Sequence, residues 1–394
     1  MFSLLLAIIY IAFISLGLPD GLLGSAWPSI YQEMNIPVSF MGIISIIISM
    51  GTVFSSLKSD FLTKKFGVGP VTAVSVFLTA FAIIGFFFSH SFIMLCIFAV
   101  PYGLGAGSVD SALNNYVALH YKSRHMSWLH CMWGVGASLG PVIIGSAMKA
   151  GQPWNKGYLY VGLIQAVLTL IVFLSLPLWN KNKALPMSES GNENETEKST
   201  ENKAISLKKL LSFPGVKAAM LTFFCYCALE QTAGQWAASF LVLARNVSPE
   251  TAARYASFFY IGITIGRAIC GFATFRFSDT QMIRAGFAII VAGIVLTFIP
   301  SQVFSLAGLI TIGLGCAPTF PSMIHATPDH FGKEKSQAVI GVQMAAAYVG
   351  TTMAPPLFGL LTNLLNAKIL PLYLTVILIL MVIMHQILLK KTKK

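Results

Sequence analysis

Long apolar runs, interrupted by short polar stretches, dominate this chain of 394 residues. A helix that crosses a bilayer needs about 20 mostly apolar residues. Twelve segments meet that requirement, at 3–27, 37–57, 68–88, 91–118, 126–149, 156–179, 216–243, 251–273, 280–299, 301–323, 336–362 and 367–389. Six precede the polar stretch 180–215 and six follow it. There Lys181, Lys183, Glu189, Glu193, Glu195, Glu197 and Lys198 lie among Ser, Asn and Thr, the composition of a flexible linker. The reading is an all-α membrane protein with an N-terminal six-helix bundle (1–179), a linker (180–215) and a C-terminal six-helix bundle (216–394). Ile205 to Leu211 has the pattern of a short amphipathic helix lying on the membrane surface.

The two halves repeat each other. An offset of 210 residues pairs Asp20 with Glu230, Gly24 with Gly234, Ser56 with Gly266, and Gly103-Leu104-Gly105 with Gly313-Leu314-Gly315. Two copies of one membrane unit point to a transporter built from pseudo-symmetric repeats. Carboxylates inside apolar segments are costly and mark function.

Hydrophobic residues make up 56% of the chain and charged residues 10%, against about 25% charged in soluble domains. A net charge of +12 would ordinarily suggest nucleic acid. Topology explains it instead, because the loops after even-numbered segments and the C-terminus hold 20 Lys and Arg, and the loops after odd-numbered segments hold 5. Basic loops stay in the cytoplasm, so both termini are expected there. The first 27 residues lack the basic start of a cleavable signal. All six cysteines fall in apolar segments and fit neither disulfides nor zinc. No nucleotide-binding loop or catalytic constellation is evident, which argues against an ATP-driven pump and against an enzyme.

After the second segment comes Ser56-Leu57-Lys58-Ser59-Asp60-Phe61-Leu62-Thr63-Lys64-Lys65-Phe66-Gly67, and Gly266-Arg267 through Gly271 to Arg276 is its counterpart after the eighth. The first resembles the signature loop of the major facilitator superfamily, with Ser56 in place of the leading glycine. The resemblance implies a gating latch at the cytoplasmic helix ends, with Asp60, Lys64, Lys65, Gly266 and Arg267 as its members. Topology charge alone is the plainer account of Lys64 and Lys65.

In the fourth segment Gly103, Gly107, Asp110 and Asn114 recur at steps of four, three and four, one stripe of a helix. A helix-packing seam would use the glycines; an acid calls for more. Gly105-Ala106-Gly107-Ser108-Val109-Asp110-Ser111-Ala112-Leu113-Asn114 is similar to the fucose-permease branch of sugar–proton symporters, except that Asn115 stands where that branch carries proline. Leu18-Pro19-Asp20-Gly21, Leu129 to Gly136, Ala228 to Trp236 and Gly313 to Pro321 extend the resemblance over nearly the whole chain. It implies a bacterial cell-membrane symporter, monomeric, driven by a proton gradient with no cofactor. Its expected partners are a small solute such as a sugar and the lipid bilayer, with no nucleic acid.

A carboxyl group in low-dielectric surroundings favours its neutral form and gives up its proton when wetted. Asp20 is thus the expected main proton carrier, with Asp110 coupling protonation to substrate. Glu230 is a second titrating acid, a substrate acceptor, or the partner of a buried donor. Neutral sugars need amide and carboxylate partners and an aromatic face. Candidates are Asn114, His130, Trp133, Gln231, Gln235, Trp236 and Gln343, each of which could instead bond between helices. Gly136-Ala137-Ser138-Leu139-Gly140-Pro141, with Gly145, resembles the glycine–proline signature of drug–proton antiporters. It keeps a second reading open, an exporter of amphipathic drugs or a glycolipid.

Overall fold

A computed structural model describes residues 4–121, 123–181 and 207–392. Among these the chain is helical, with no strand. The elements that cross the bundle are α1 (Leu4–Gly17) with α2 (Leu22–Glu33), α3 (Met41–Phe66), α4 (Val68–Phe87), α5 (Phe92–His120), α6 (Ser123–Lys149) and α7 (Trp154–Leu174). After the short α8 (Leu176–Lys181) and α9 (Leu207–Leu210) come α10 (Val216–Arg245), α11 (Pro249–Ala273), α12 (Asp279–Phe298) and α13 (Gln302–His325). The short α14 (Thr327–Phe331) then leads to α15 (Lys333–Leu365) and α16 (Leu370–Thr392). Eleven spans are long and apolar enough to cross a bilayer. The twelfth is α10, whose 30 residues include the polar run from Glu230 to Gln235 that dilutes its hydropathy. The expected surface helix is reduced to the single turn of α9, since residues 182–206 lie outside the described ones.

The first expected segment, a single helix over 3–27, is corrected to two helices spanning Leu4 to Glu33 with a break at residues 18–21. Proline has no N–H, so Pro19 cannot bond the carbonyl of Ser15 four residues earlier. The chain answers locally with tighter bonds, from the Asp20 N–H to the Gly17 carbonyl and from the Leu22 N–H to the Pro19 carbonyl. The freed Ser15 carbonyl accepts from Gln165 Nε2 of α7 at 2.6 Å, and the Ser15 hydroxyl bonds the same amide. Inside a bilayer that bond has no water to replace it. The break therefore sits on a buried amide clamp, with Asp20 at its centre.

The repeat read from the sequence reappears as packing. In the first half α5 lies against α3 and α4, and α1 against α6; in the second, α13 lies against α11 and α12, and α10 against α15. Glycines make these crossings close. A Cβ on Gly103 would strike the Ile48 carbonyl, and one on Gly313 the Phe259 carbonyl. Gly105 meets the Ser75 carbonyl and Gly315 that of Gly286 in the same way. The glycines differ by 210 residues and their partners by 211.

Contacts between halves gather at the end of the bundle away from the termini. Asn363 Nδ2 donates to Ser39 Oγ at 2.6 Å, and the Gln235 side chain bonds Ser45. Gly24 lies against the Gln235 carbonyl, Gly42 against Pro356 and Gly145 against Arg254. Towards the termini the long α6–α11 contact ends near His130 and Arg267, and a Cβ built on Gly271 or Gly341 meets nothing within 4 Å.

Replacing Gln165 by leucine leaves the Ser15 carbonyl buried without a donor, a loss of about 1–3 kcal/mol. The variant should melt at a lower temperature than the parent in detergent; an unchanged melting curve would show that the clamp carries no stability.

Candidate functional site

At the break, the carboxylate of Asp20 receives two hydrogen bonds from neutral donors. Tyr102 Oη of α5 donates to Oδ1 at 3.0 Å and Trp133 Nε1 of α6 donates to Oδ2 at 2.6 Å. Each donor comes from a different helix of the first half, and the broken backbone turns the acid towards both. Gly17 and Gly136 make this possible, because a Cβ on either would hit the backbone of the facing helix.

The indole is shared across the two halves. Its face carries the guanidinium of Arg267 from α11, whose Cζ lies 4.8 Å from the ring centre. Arg267 Nη1 donates to the His130 carbonyl at 3.4 Å, and Nη2 stands 3.9 Å from Glu230 Oε1 of α10. A continuous chain thus runs from Asp20 through Trp133 and Arg267 to Glu230. Tyr260 of α11 packs edge-on to Trp133 at 6.4 Å and lies within electrostatic reach of both Asp20 and Glu230. The Arg267 and Glu230 side chains remain 17% and 18% exposed, so the ion pair is open to small molecules.

Asp110 lies on α5 two turns from Tyr102, and Asn114 Nδ2 donates both to its Oδ1 at 2.8 Å and to its backbone carbonyl at 3.0 Å. Its charge is felt at Asp20 and at Tyr348 of α15. The stripe that suggested a single polar face divides into two uses. Gly103 and Gly107 press on the α3 backbone, whereas Asp110 and Asn114 bond to each other beyond that crossing.

Several expected site residues lie elsewhere. Trp236 is fully buried, donating Nε1 to the Pro355 carbonyl at 3.0 Å and packing on Phe358, so it is a core residue of the second half. Gln235 is spent on Ser45 in the contact between halves. Gln343 is buried, accepts from Thr327 at 3.1 Å and lines a void of about 10 Å³ inside the second half. His130 turns its ring towards Phe13 within the first half, at 5.8 Å, and offers the site only its carbonyl. Gln231 is exposed on α10 beside Glu230. Helical spacing placed these residues at the right depth; it could not say which neighbour each would meet.

The latch residues also separate. Arg267, expected in a loop gate, sits six residues before the end of α11 and reaches the central chain instead. Gly266 is a packing glycine against Ala317, the counterpart of Ser56, whose hydroxyl bonds the Gly107 carbonyl at 3.0 Å. Lys65 folds over Phe66 at 5.2 Å and Lys64 lies beside it in the last turn of α3. The Asp60 side chain lies outside the described residues. The antiporter-like glycines Gly136, Gly140 and Gly145 all lie at close helix crossings, which accounts for their pattern by packing.

Sequence reasoning missed Tyr102 and Tyr260. The second left a signal, because it lies seven residues before Arg267 and so shares its face of α11. The first left none, since its partner Asp20 is 82 residues away.

Among the described residues, long helices in two repeated sets, with ionisable groups joined at mid-bundle, form the architecture of a membrane transporter. The chain belongs to the Major Facilitator Superfamily, whose model matches residues 9–335 and 219–394. Among curated relatives, Bypass of stop codon protein 6 of Saccharomyces cerevisiae is 23% identical, aligned over 92% of this chain and 78% of its own length. The glucose/mannose transporter GlcP of Bacillus subtilis is 23% identical over 79% of this chain and 77% of its own. Among solved structures, an inward-facing, unoccupied bacterial homologue of the human lysosomal transporter Spinster superposes with a TM-score of 0.71 at 13% identity, covering 98% of this chain and 95% of that one. FucP in its outward conformation superposes at 0.60 and 15% identity, covering 97% of this chain and 99% of its own. These likenesses establish the fold.

Two tryptophans, the half-buried Trp133 and the fully buried Trp236, differ in what accepts from their indole N–H: a carboxylate for the first and a backbone carbonyl for the second. Trp133→Phe keeps an aromatic side chain but leaves Asp20 with only the Tyr102 donor to orient it, so solute affinity should fall by about tenfold, or about 1.4 kcal/mol, through loss of that positioning. Trp236→Phe should lower the melting temperature and leave affinity unchanged. Binding isotherms and melting curves on both variants check this, and equal effects on affinity would contradict the assignment.

Proposed function

We propose that this chain is a proton-coupled symporter that imports a sugar or similar small polar solute by alternating access. The observation that carries the reading is the setting of Asp20. It is an acid at a helix break in an apolar bundle, held by neutral donors from Tyr102 and Trp133 and partly open to solvent. An acid without a dedicated cation can take up and give up a proton as water reaches it from either side. Asp110, tied to the Asn114 amide, supplies a second carboxylate and an amide beside it. The half-buried indole of Trp133 is an aromatic surface beside Asp20 of the kind that a sugar's C–H face packs on. A relative named for glucose and mannose and a fold neighbour titled a fucose:proton symporter agree with this chemistry.

The energy source is the proton gradient, without a cofactor, and the working unit is a monomer in the cell membrane. Its bundles are residues 1–179 and 216–394, joined by the linker. The distribution of Lys and Arg supports a cytoplasmic location for both termini. The end sealed by Ser39, Ser45, Gln235 and Asn363 then faces outwards, and the arrangement described is the inward-facing member of the cycle.

Reconstitution into liposomes with an imposed pH gradient, using glucose, mannose and fucose as probes, tests the reading. Asp20→Asn should retain solute counterflow while its accumulation ratio falls to about 1, because a carrier uncoupled from protons only equilibrates its solute. Uphill uptake by that variant would refute the assignment of Asp20, and efflux by the parent protein would favour an exporter.

A further inference from the structure

Neither a cytoplasmic latch nor a binding site for neutral solutes explains a guanidinium at the middle of the bundle. Arg267 is held between two attractions. Its plane covers Trp133 in the first half at 4.8 Å, and its Nη2 stops 3.9 Å short of Glu230 in the second. A charge-assisted hydrogen bond closes at about 2.7–2.9 Å, so a movement of about 1 Å would complete the pair. The indole beneath Arg267 is itself engaged, because its N–H points at Asp20. An N–H that donates to an anion pushes electron density back into its ring, and hydrogen bonds in series reinforce one another in low dielectric. A richer ring face attracts a cation more strongly.

We propose that Arg267 is the joint through which the charge state of Asp20 in the first half is felt at Glu230 in the second. When Asp20 is ionised, the Trp133 face is at its most attractive and holds the guanidinium away from Glu230, as in the arrangement described. When Asp20 carries a proton, the indole bond weakens, the stack loosens and Arg267 closes on the Glu230 carboxylate. The move transfers no covalent bond; one proton arrives at Asp20 and one cation shifts by about the length of its missing contact. The charge on Asp20 is thereby felt at an acid 210 residues away in sequence. Arg267 is a positioning residue in this scheme. The inference rests on the reading that Asp20 exchanges protons and is independent of which solute is carried.

The surroundings limit what else could answer to pH. Asp20 faces Tyr102, Trp133 and Tyr260, with Asp110 within electrostatic reach. Glu230 faces Arg267, with Tyr226, Tyr260, Cys227 and Cys316 near it. Arg267 faces His130, whose carbonyl it bonds, with Cys131 and Cys270 within electrostatic reach. Asp110 and His130 are therefore the groups that the experiment must separate from Asp20.

The test is a double-mutant cycle read by Trp133 fluorescence during pH titration of the full chain in lipid nanodiscs. The Trp133 signal is the difference between each protein and its Trp133→Phe version. The signal should titrate in the parent, in Asp110→Asn and in His130→Gln, and be lost in Asp20→Asn. Glu230→Gln should shift the midpoint by about 1 pH unit, the tenfold coupling common between linked sites. In the Arg267→Gln background the same Glu230→Gln change should shift nothing. Arg267→Lys keeps the charge without the planar stack, and should leave a reduced shift. A Glu230→Gln shift of the same size with and without Arg267 would overturn the proposal, as would no shift at all in the presence of Arg267. If Arg267→Gln fails to fold, the lysine variant decides: a full-sized shift there overturns the stack as the carrier of coupling. Failure of the symport reading looks different, because solute uptake would ignore pH while the fluorescence cycle still holds.

Discussion

A carboxylate within an apolar bundle must be paid for by donors brought from other helices, and that requirement organises the centre of this protein. Asp20 obtains its donors because Pro19 breaks the first span and because glycines on α1 and α6 let the neighbouring backbones approach. The break would itself be untenable in lipid without Gln165 on the Ser15 carbonyl. Backbone, amide clamp and acid therefore form one unit. Loss of any part exposes an unsatisfied polar group where no water can replace it.

The second half reaches the same centre by another route. Its own acid, Glu230, sits in an unbroken α10 and is matched by a cation, Arg267, with the Tyr226 hydroxyl beside it. Two copies of one unit have thus diverged at equivalent positions, one acid held by hydroxyl and indole groups and the other by a guanidinium. The stack of Arg267 on Trp133 joins them. Because it crosses between halves, any rocking of one half on the other must strain or break it, which links the charge at the centre to the opening of the ends.

Much of this was legible in the chain. The spans follow from apolar length, and the repeat follows from Gly103 with Gly313 and Gly105 with Gly315, whose contacts recur within one residue of the same offset. Asp20, Asp110, Glu230, Trp133 and Asn114 stood out in the chain because acids, amides and indoles at that depth need partners, and each has one in the structure. Arg267 was misplaced because its neighbours in sequence belong to a loop motif, whereas its long side chain reaches away from that loop to another helix. Trp236 was misplaced because an indole N–H can be satisfied equally by the Pro355 carbonyl or by a solute. Spacing along one helix fixes which residues share a face. It does not fix which helix the face meets, and Gln235 and Gln343 were misjudged for that reason.

Proton movement that accompanies solute entry is the central claim, and it can be watched directly. Liposomes containing the parent protein, in weakly buffered medium with an external pH electrode, should show a transient external alkalinisation when the transported sugar is added and none when a non-transported sugar is added. Sugar entry of full size with no change in external pH would contradict the account.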